Sequence, residues 1–176
     1  AGNVSDRIVS AAGGNFENLA VDATPAVTAV SDTVATTTVS LTATPAVAEG
    51  GSIVYTASLT APAQGNVTVT LQSGATITIL SGASTGSVTV PAPTDDVLVD
   101  AGSVGNRITG ATGGNFENLA VDATPVSTTV SDTIDTTTVS LSGSGSAIEG
   151  SAGSYTVSLN SVAQTAVTVT LTYSGT

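Results

Sequence analysis

The chain repeats itself at a distance of 100 residues. Residues 13–25 return without change at 113–125, and Ser31-Asp32-Thr33 returns as Ser131-Asp132-Thr133. Residues 36–41 return at 136–141, and 67–71 at 167–171. Setting 1–76 against 101–176, 44 of 76 positions are identical. Solenoid repeats run from ~20 to ~50 residues, so this period is too long for one. Each unit must instead own a complete core and fold by itself, as beads on a string.

Alternation of apolar and polar residues marks the strands inside a unit. The pattern predicts strands at 39–41, 53–59, 67–71, 76–80, 88–90, 97–99, 104–108 and 126–130. Turn signals such as Glu49-Gly50-Gly51, Gln64-Gly65-Asn66 and Gly113-Gly114-Asn115 separate them. In Val67-Thr68-Val69-Thr70-Leu71 the apolar side chains share one face and the threonines the other, giving a strand with one dry side. Seven or eight such strands make two packed antiparallel sheets, and ~100 residues is the length of one immunoglobulin-like β-sandwich. The expected fold class is all-β, with immunoglobulin-like modules in tandem. The phase assigns 35–134 to a complete module, 1–34 to the last strands of a preceding one and 135–176 to the first strands of a following one. The two partial pieces are expected to be completed by neighbouring molecules or by each other. The chain thus reads as an excerpt of something longer.

Composition agrees with this and narrows the function. Thr and Val, both β-branched, favour a pleated half-buried surface. Thirteen carboxylates face two guanidiniums and no lysine, for a net charge of -11. Such a surface repels nucleic acid and anionic membrane, whose binding needs Lys and Arg, and it attracts divalent cations. No apolar run approaches the ~20 residues of a membrane span. There is no Cys, so disulfides are excluded. Gly82-Ala83-Ser84-Thr85-Gly86 matches the G-x-S-x-G nucleophile motif, but that motif needs a strand-to-helix turn and a His base. The setting reads as a β-hairpin and the chain has no His, so no catalytic residue is assigned and no enzyme is expected.

The repeat and its acidic corners resemble the long-repeat region of LapA-type large adhesins, giant bacterial surface proteins exported by type I secretion. Val47-Ala48-Glu49-Gly50-Gly51-Ser52 leading into Tyr55-Thr56-Ala57-Ser58-Leu59, then Thr94-Asp95-Asp96-Val97 and Val130-Ser131-Asp132-Thr133, also look like the Calx-β pattern. In that family an early Glu-Gly, a mid-domain Asp-Asp and a terminal Asp run meet at one tip and bind calcium. The resemblance therefore implies a calcium site at the module junction built from Glu49, Asp95, Asp96, Asp100, Asp132 and Asp135. Here the acidic loop keeps only Asp100 after the Asp pair, and the terminal run is thinned to Asp132 and Asp135, which implies one or two ions per junction.

Calcium takes six to eight oxygens, mostly from carboxylates and carbonyls. Carboxylates gathered at one pole repel one another unless a cation sits between them. The alternative is that these acids are ordinary solvated turn residues, since Asp and Asn suit turns. A second calcium loop through Asn115, Glu117 and Asp122 is weighed against a purely structural loop whose Phe116 plugs the core. Tyr55 and Tyr155 are expected at the core edge with hydroxyls reaching a polar group.

The first functional reading is mechanical. Sandwiches in series form the stalk of a secreted, cell-surface bacterial adhesin, with calcium at the joints setting stiffness, in support of adhesion and biofilm formation. Its partners are the neighbouring repeats of the same chain. The alternatives are modules that bind saccharide or a host protein, and homotypic association into extracellular fibres through exposed strand edges.

Overall fold

The computed structural model describes residues 2–174, and they contain no helix. The chain divides into two compact units between Thr36 and Thr37, at the first residue of β3 (Thr36–Ala43). In the first unit β1 (Gly2–Asp6) pairs antiparallel with β2 (Ala26–Val30), with Gly2 opposite Val30. No strand forms between them.

The second unit holds β3 (Thr36–Ala43), β4 (Ala46–Ala48), β5 (Ser52–Leu59), β6 (Val67–Leu71), β7 (Thr76–Ile79) and β8 (Thr85–Pro91). It continues with β9 (Gly102–Asn106), β10 (Ile108–Gly113), β11 (Asn118–Val121) and β12 (Val126–Ser131). These form three sheets, ordered β11-β3-β5-β8, β10-β6-β7 and β4-β12-β9. A separate pair joins β13 (Val139–Gly143) to β14 (Tyr155–Leu159). The architecture is all-β in multiple sheets and is consistent with a β-sandwich.

The core follows from the alternation. In β6 Val67, Val69 and Leu71 are buried while Thr68 and Thr70 face out. They meet Val39 and Leu41 of β3, Ile53, Tyr55 and Ala57 of β5, Ile77 and Ile79 of β7, and Ile108 of β10. Burying each large aliphatic contributes ~1.5–3 kcal/mol.

Two expected strands differ. Residues 97–99 form none: the Leu98 amide donates to Asp96 Oδ1 at 2.7 Å, so a side chain competes for the backbone. The expected strand 104–108 is broken at Arg107, between β9 and β10. Buried Asn106 is the cause. Its Oδ1 accepts from the Ser73 and Arg107 amides at 3.3 and 3.0 Å, and its Nδ2 donates to Ser73 Oγ at 3.0 Å.

The start of the module is one strand that changes sheets. β3 runs antiparallel to β5 as far as Ala43 opposite Tyr55, and the Thr44 amide still donates to the Val54 carbonyl. After Pro45 the chain leaves β5, and β4 pairs with β12 in parallel, Ala46 opposite Thr129 and Ala48 opposite Ser131. Pro suits such a switch, because it has no amide to satisfy. β3 and β4 thus run in the same direction as β12. The module is entered at one end of its sheets and left at the other.

Candidate metal centre

Three carboxylates converge where β4 and β12 end. Glu49 is the first residue after β4 and Asp132 the first after β12. The parallel pairing sets their strand ends side by side, and the Glu49 amide donates to the Ser131 carbonyl at 3.0 Å. Asp100 arrives from the other flank of β12. Gly102, the first residue of β9, pairs with Val130, which brings the approach to β9 beside the end of β12. One carboxylate oxygen from each of Glu49, Asp100 and Asp132 lies within 4.8 Å of the others.

The turn is built tightly. The Gly50 amide donates to the Pro93 carbonyl at 2.7 Å, and the Gly51 amide to the Ala48 carbonyl at 3.1 Å. Gly50 has φ 67°, a left-handed conformation that suits Gly, and a Cβ there would stand 3.3 Å from Asp95 Cβ. This packing buries Glu49 to 7 % exposure. Glu49 Oε2 and Asp132 Oδ1 are both buried without a hydrogen-bond partner. Buried polar atoms are rarely left so. Proton sharing with Asp100, then burial, then the negative charges of Asp100 and Asp132 push the Glu49 carboxyl up to about 7.

Of the acids singled out in the sequence, Glu49, Asp100 and Asp132 come together, and Asp95, Asp96 and Asp135 lie outside the group. Asp95 accepts a hydrogen bond from Thr133 Oγ1, which ties the 93–96 loop to the chain leaving β12. Asp96 closes its own turn onto Leu98. The donor set of the group is all carboxyl oxygen, with two unsatisfied atoms. It fits a hard divalent cation such as calcium.

The other sequence features resolve as structure. Asp122 Oδ1 accepts from the Thr124 amide at 3.0 Å and from its hydroxyl at 2.5 Å. These bonds hold its carboxyl below the usual value, as the matching pair from Thr24 does for Asp22. Phe116 packs on the core, whereas its repeat counterpart Phe16 is exposed. Ser84 lies between β7, which pairs with β6, and β8, which pairs with β5; the connection crosses between sheets and is not the expected hairpin. Tyr55 is fully buried and its hydroxyl has no partner, so it does not reach a polar group as expected.

No curated protein and no solved structure matches the chain. The family model of the LapA domain matches residues 35–133. With that family goes an adhesin-related role in cell adhesion, at the cell surface or outside the cell. No described helix is long and apolar enough to cross a membrane. That match spans β3 to β12 and more than half of the chain, so the chain belongs to the LapA domain family.

Proposed function

We propose that the chain is a run of tandem immunoglobulin-like extender modules from the stalk of a secreted bacterial adhesin, and that Glu49, Asp100 and Asp132 hold a calcium ion. One observation carries the calcium reading: a carboxylate as buried as Glu49 keeps an unpartnered oxygen beside two other acids, with no lysine anywhere in the chain. Burying charge without a counter-charge is strongly unfavourable, and a divalent ion removes the penalty. The 100-residue repeat supports the stalk: Glu149 and Asp32 occupy the positions of Glu49 and Asp132 in the adjoining copies, so these two acid positions recur at the repeat period. Extracellular modules bind calcium with Kd on the order of 10⁻⁴–10⁻³ M. Isothermal titration of the chain with calcium, compared with Asp132→Asn, tests the reading. Binding in that range that the variant loses supports it, and an absence of binding heat with no change in melting temperature overturns it.

Association of copies is a second reading, favoured by one observation. Val167, Val169 and Leu171 are exposed although the same residues are buried in β6. A sedimentation coefficient that rises with concentration supports it, and one that does not removes it.

A further inference from the structure

One loop sequence stands in two surroundings. At 113–121 it is built into the module. Gly113 pairs with Val67, the Gly114 amide donates to the Asn66 carbonyl at 3.1 Å, and the Gln64 amide donates to the Gly114 carbonyl at 3.0 Å. Phe116 and Leu119 pack on the core, and β11 lies beside β3. At 13–21 the same residues form no strand, and Phe16 and Leu19 are exposed. The loop nevertheless keeps its shape. The φ angles are +95°, +85° and +52° at Gly13, Gly14 and Asn15, against +95°, +82° and +54° at Gly113, Gly114 and Asn115. A Cβ on Gly14 would overlap Phe16 Cε2, as one on Gly114 would overlap Phe116 Cε2, so the ring sits on the turn in the same way. Thr24 closes onto Asp22 as Thr124 does onto Asp122.

The surface that receives the loop also occurs twice. Residues 136–141 and 167–171 repeat 36–41 and 67–71. β13 and β14 set Val139 opposite Leu159 and Leu141 opposite Val157, the register in which β3 and β5 set Val39 opposite Leu59 and Leu41 opposite Ala57. Val139, Leu141, Val167, Val169 and Leu171 are exposed, whereas their counterparts in the module are buried.

We infer that residues 13–21 of one chain dock on the open face of residues 136–171 of a second copy, as residues 113–121 do within the module. Both partners already hold the docked shape, so little ordering entropy opposes the contact. Phe16 and Leu19 fill the place that Phe116 and Leu119 take, and residues 18–21 add a strand beside β13 as β11 does beside β3. The occupant is a second copy because the complete module stands between the two segments in sequence. Residues 31–35, which join β2 to β3, reach ~18 Å at most, less than the ~26 Å length of the eight-residue β3. The contact is heterologous, loop to face. Each copy that docks keeps one loop or one face unused, so growth is open-ended. The inference rests on the association reading above and names the two segments that meet.

The test uses the whole chain, which has no cysteine of its own. Sedimentation velocity over an about hundredfold range of concentration is expected to show species that grow beyond a dimer. Phe16→Ala, at an exposed position, is expected to weaken association at least tenfold and to leave the melting temperature of a dilute sample unchanged. Register supplies a second measurement. Thr112 lies opposite Thr68, so Ala12 of one chain comes opposite Thr168 of the other. Residues directly opposite one another stand ~4.5–5.5 Å apart at Cα, within reach of a disulfide. A chain carrying Ala12→Cys is expected to cross-link to one carrying Thr168→Cys at least tenfold faster than to one carrying Thr170→Cys. Association that Phe16→Ala leaves intact, with no preference for position 168, overturns the docking and spares the association reading. A dilute chain carrying both Ala12→Cys and Thr168→Cys that closes on itself overturns the second copy as occupant. Sedimentation that does not change with concentration overturns both this inference and the reading beneath it.

Discussion

The Glu49 amide donates to the Ser131 carbonyl at 3.0 Å, which fixes the turn after β4 against the last residue of β12. Glu49 and Asp132 therefore leave the sheet side by side, although 82 residues of chain lie between them. The backbone bond does not depend on the charge of the two side chains, so it brings the two carboxyls together in the cation-free fold.

The roles of the six acids can be separated by substitution. Glu49→Gln and Asp132→Asn are each expected to lower calcium affinity at least tenfold, about 1.4 kcal/mol or more of binding free energy. Asp96→Asn and Asp135→Asn are expected to change it less than about twofold, since both lie outside the group. Calorimetric titration of the four variants decides the matter. A large loss at Asp135 would show that the ion sits further along the chain.

Calcium and chelation should move the melting temperature in opposite directions. Calcium at about 100 times its Kd is expected to stabilise the module by about 2.7 kcal/mol. In chelator at pH 8, Glu49→Gln is expected to melt higher than the parent, because it removes one of three mutually repelling charges. Thermal unfolding monitored by circular dichroism checks both. A Gln variant that melts lower in chelator would argue against repulsion in the cluster.

The pH dependence follows from Glu49. Its carboxyl is raised from 4.5 to about 7 in the folded chain, so the native state binds the proton more tightly than the unfolded state. The associated stability is present below the unfolded value and is lost as pH rises through about 7. Cation-free protein is therefore expected to melt lower at pH 8 than at pH 5.5. Saturating calcium should remove or reverse the trend, because the ion takes the charged form. Melting curves across this window, with and without calcium, check it. The same fall in Glu49→Gln would assign it elsewhere.

Tyr55 offers a test of the core. Its side chain is 1 % exposed and the hydroxyl has no partner. Tyr55→Phe removes an unsatisfied buried group at nearly constant shape and is expected to be neutral or to stabilise by about 1 kcal/mol. At Tyr155, its repeat counterpart, the side chain is 66 % exposed, and the same change should stay within about 0.5 kcal/mol. Denaturant unfolding distinguishes the two. A clear loss at Tyr55 would point to a bound water or a partner for the hydroxyl.

Two glycines with similar backbones separate strain from crowding. Gly113 has φ +95°, and a Cβ there would lie 2.2 Å from the Asn66 carbonyl oxygen. Gly74 has φ +85° with open space around it. Gly74→Ala is expected to cost about 1–2 kcal/mol for the left-handed conformation alone. Gly113→Ala is expected to exceed about 3 kcal/mol, because backbone must also move. Urea midpoints measured for both variants check the difference, and equal losses would remove the crowding argument.

Residues alone determined the period, the all-β class and the inward face of each long strand. Repetition is covalent, and alternation in segments such as 53–59 and 67–71 is a local property that survives in any packing. They also offered six acids, of which Glu49, Asp100 and Asp132 come together. Whether a given segment becomes a strand was decided only in the tertiary structure. Asn118–Val121 is β11, whereas the identical residues 18–21 form no strand; Val67–Leu71 is β6, whereas the identical residues 167–171 form none. A strand satisfies its amides and buries its dry face only against a partner, and β11 and β6 have β3 and β10 beside them. The meeting of Glu49 with Asp132 has the same origin. It depends on β4, three residues long and carrying no alternation, which becomes a strand because β12 lies parallel to it.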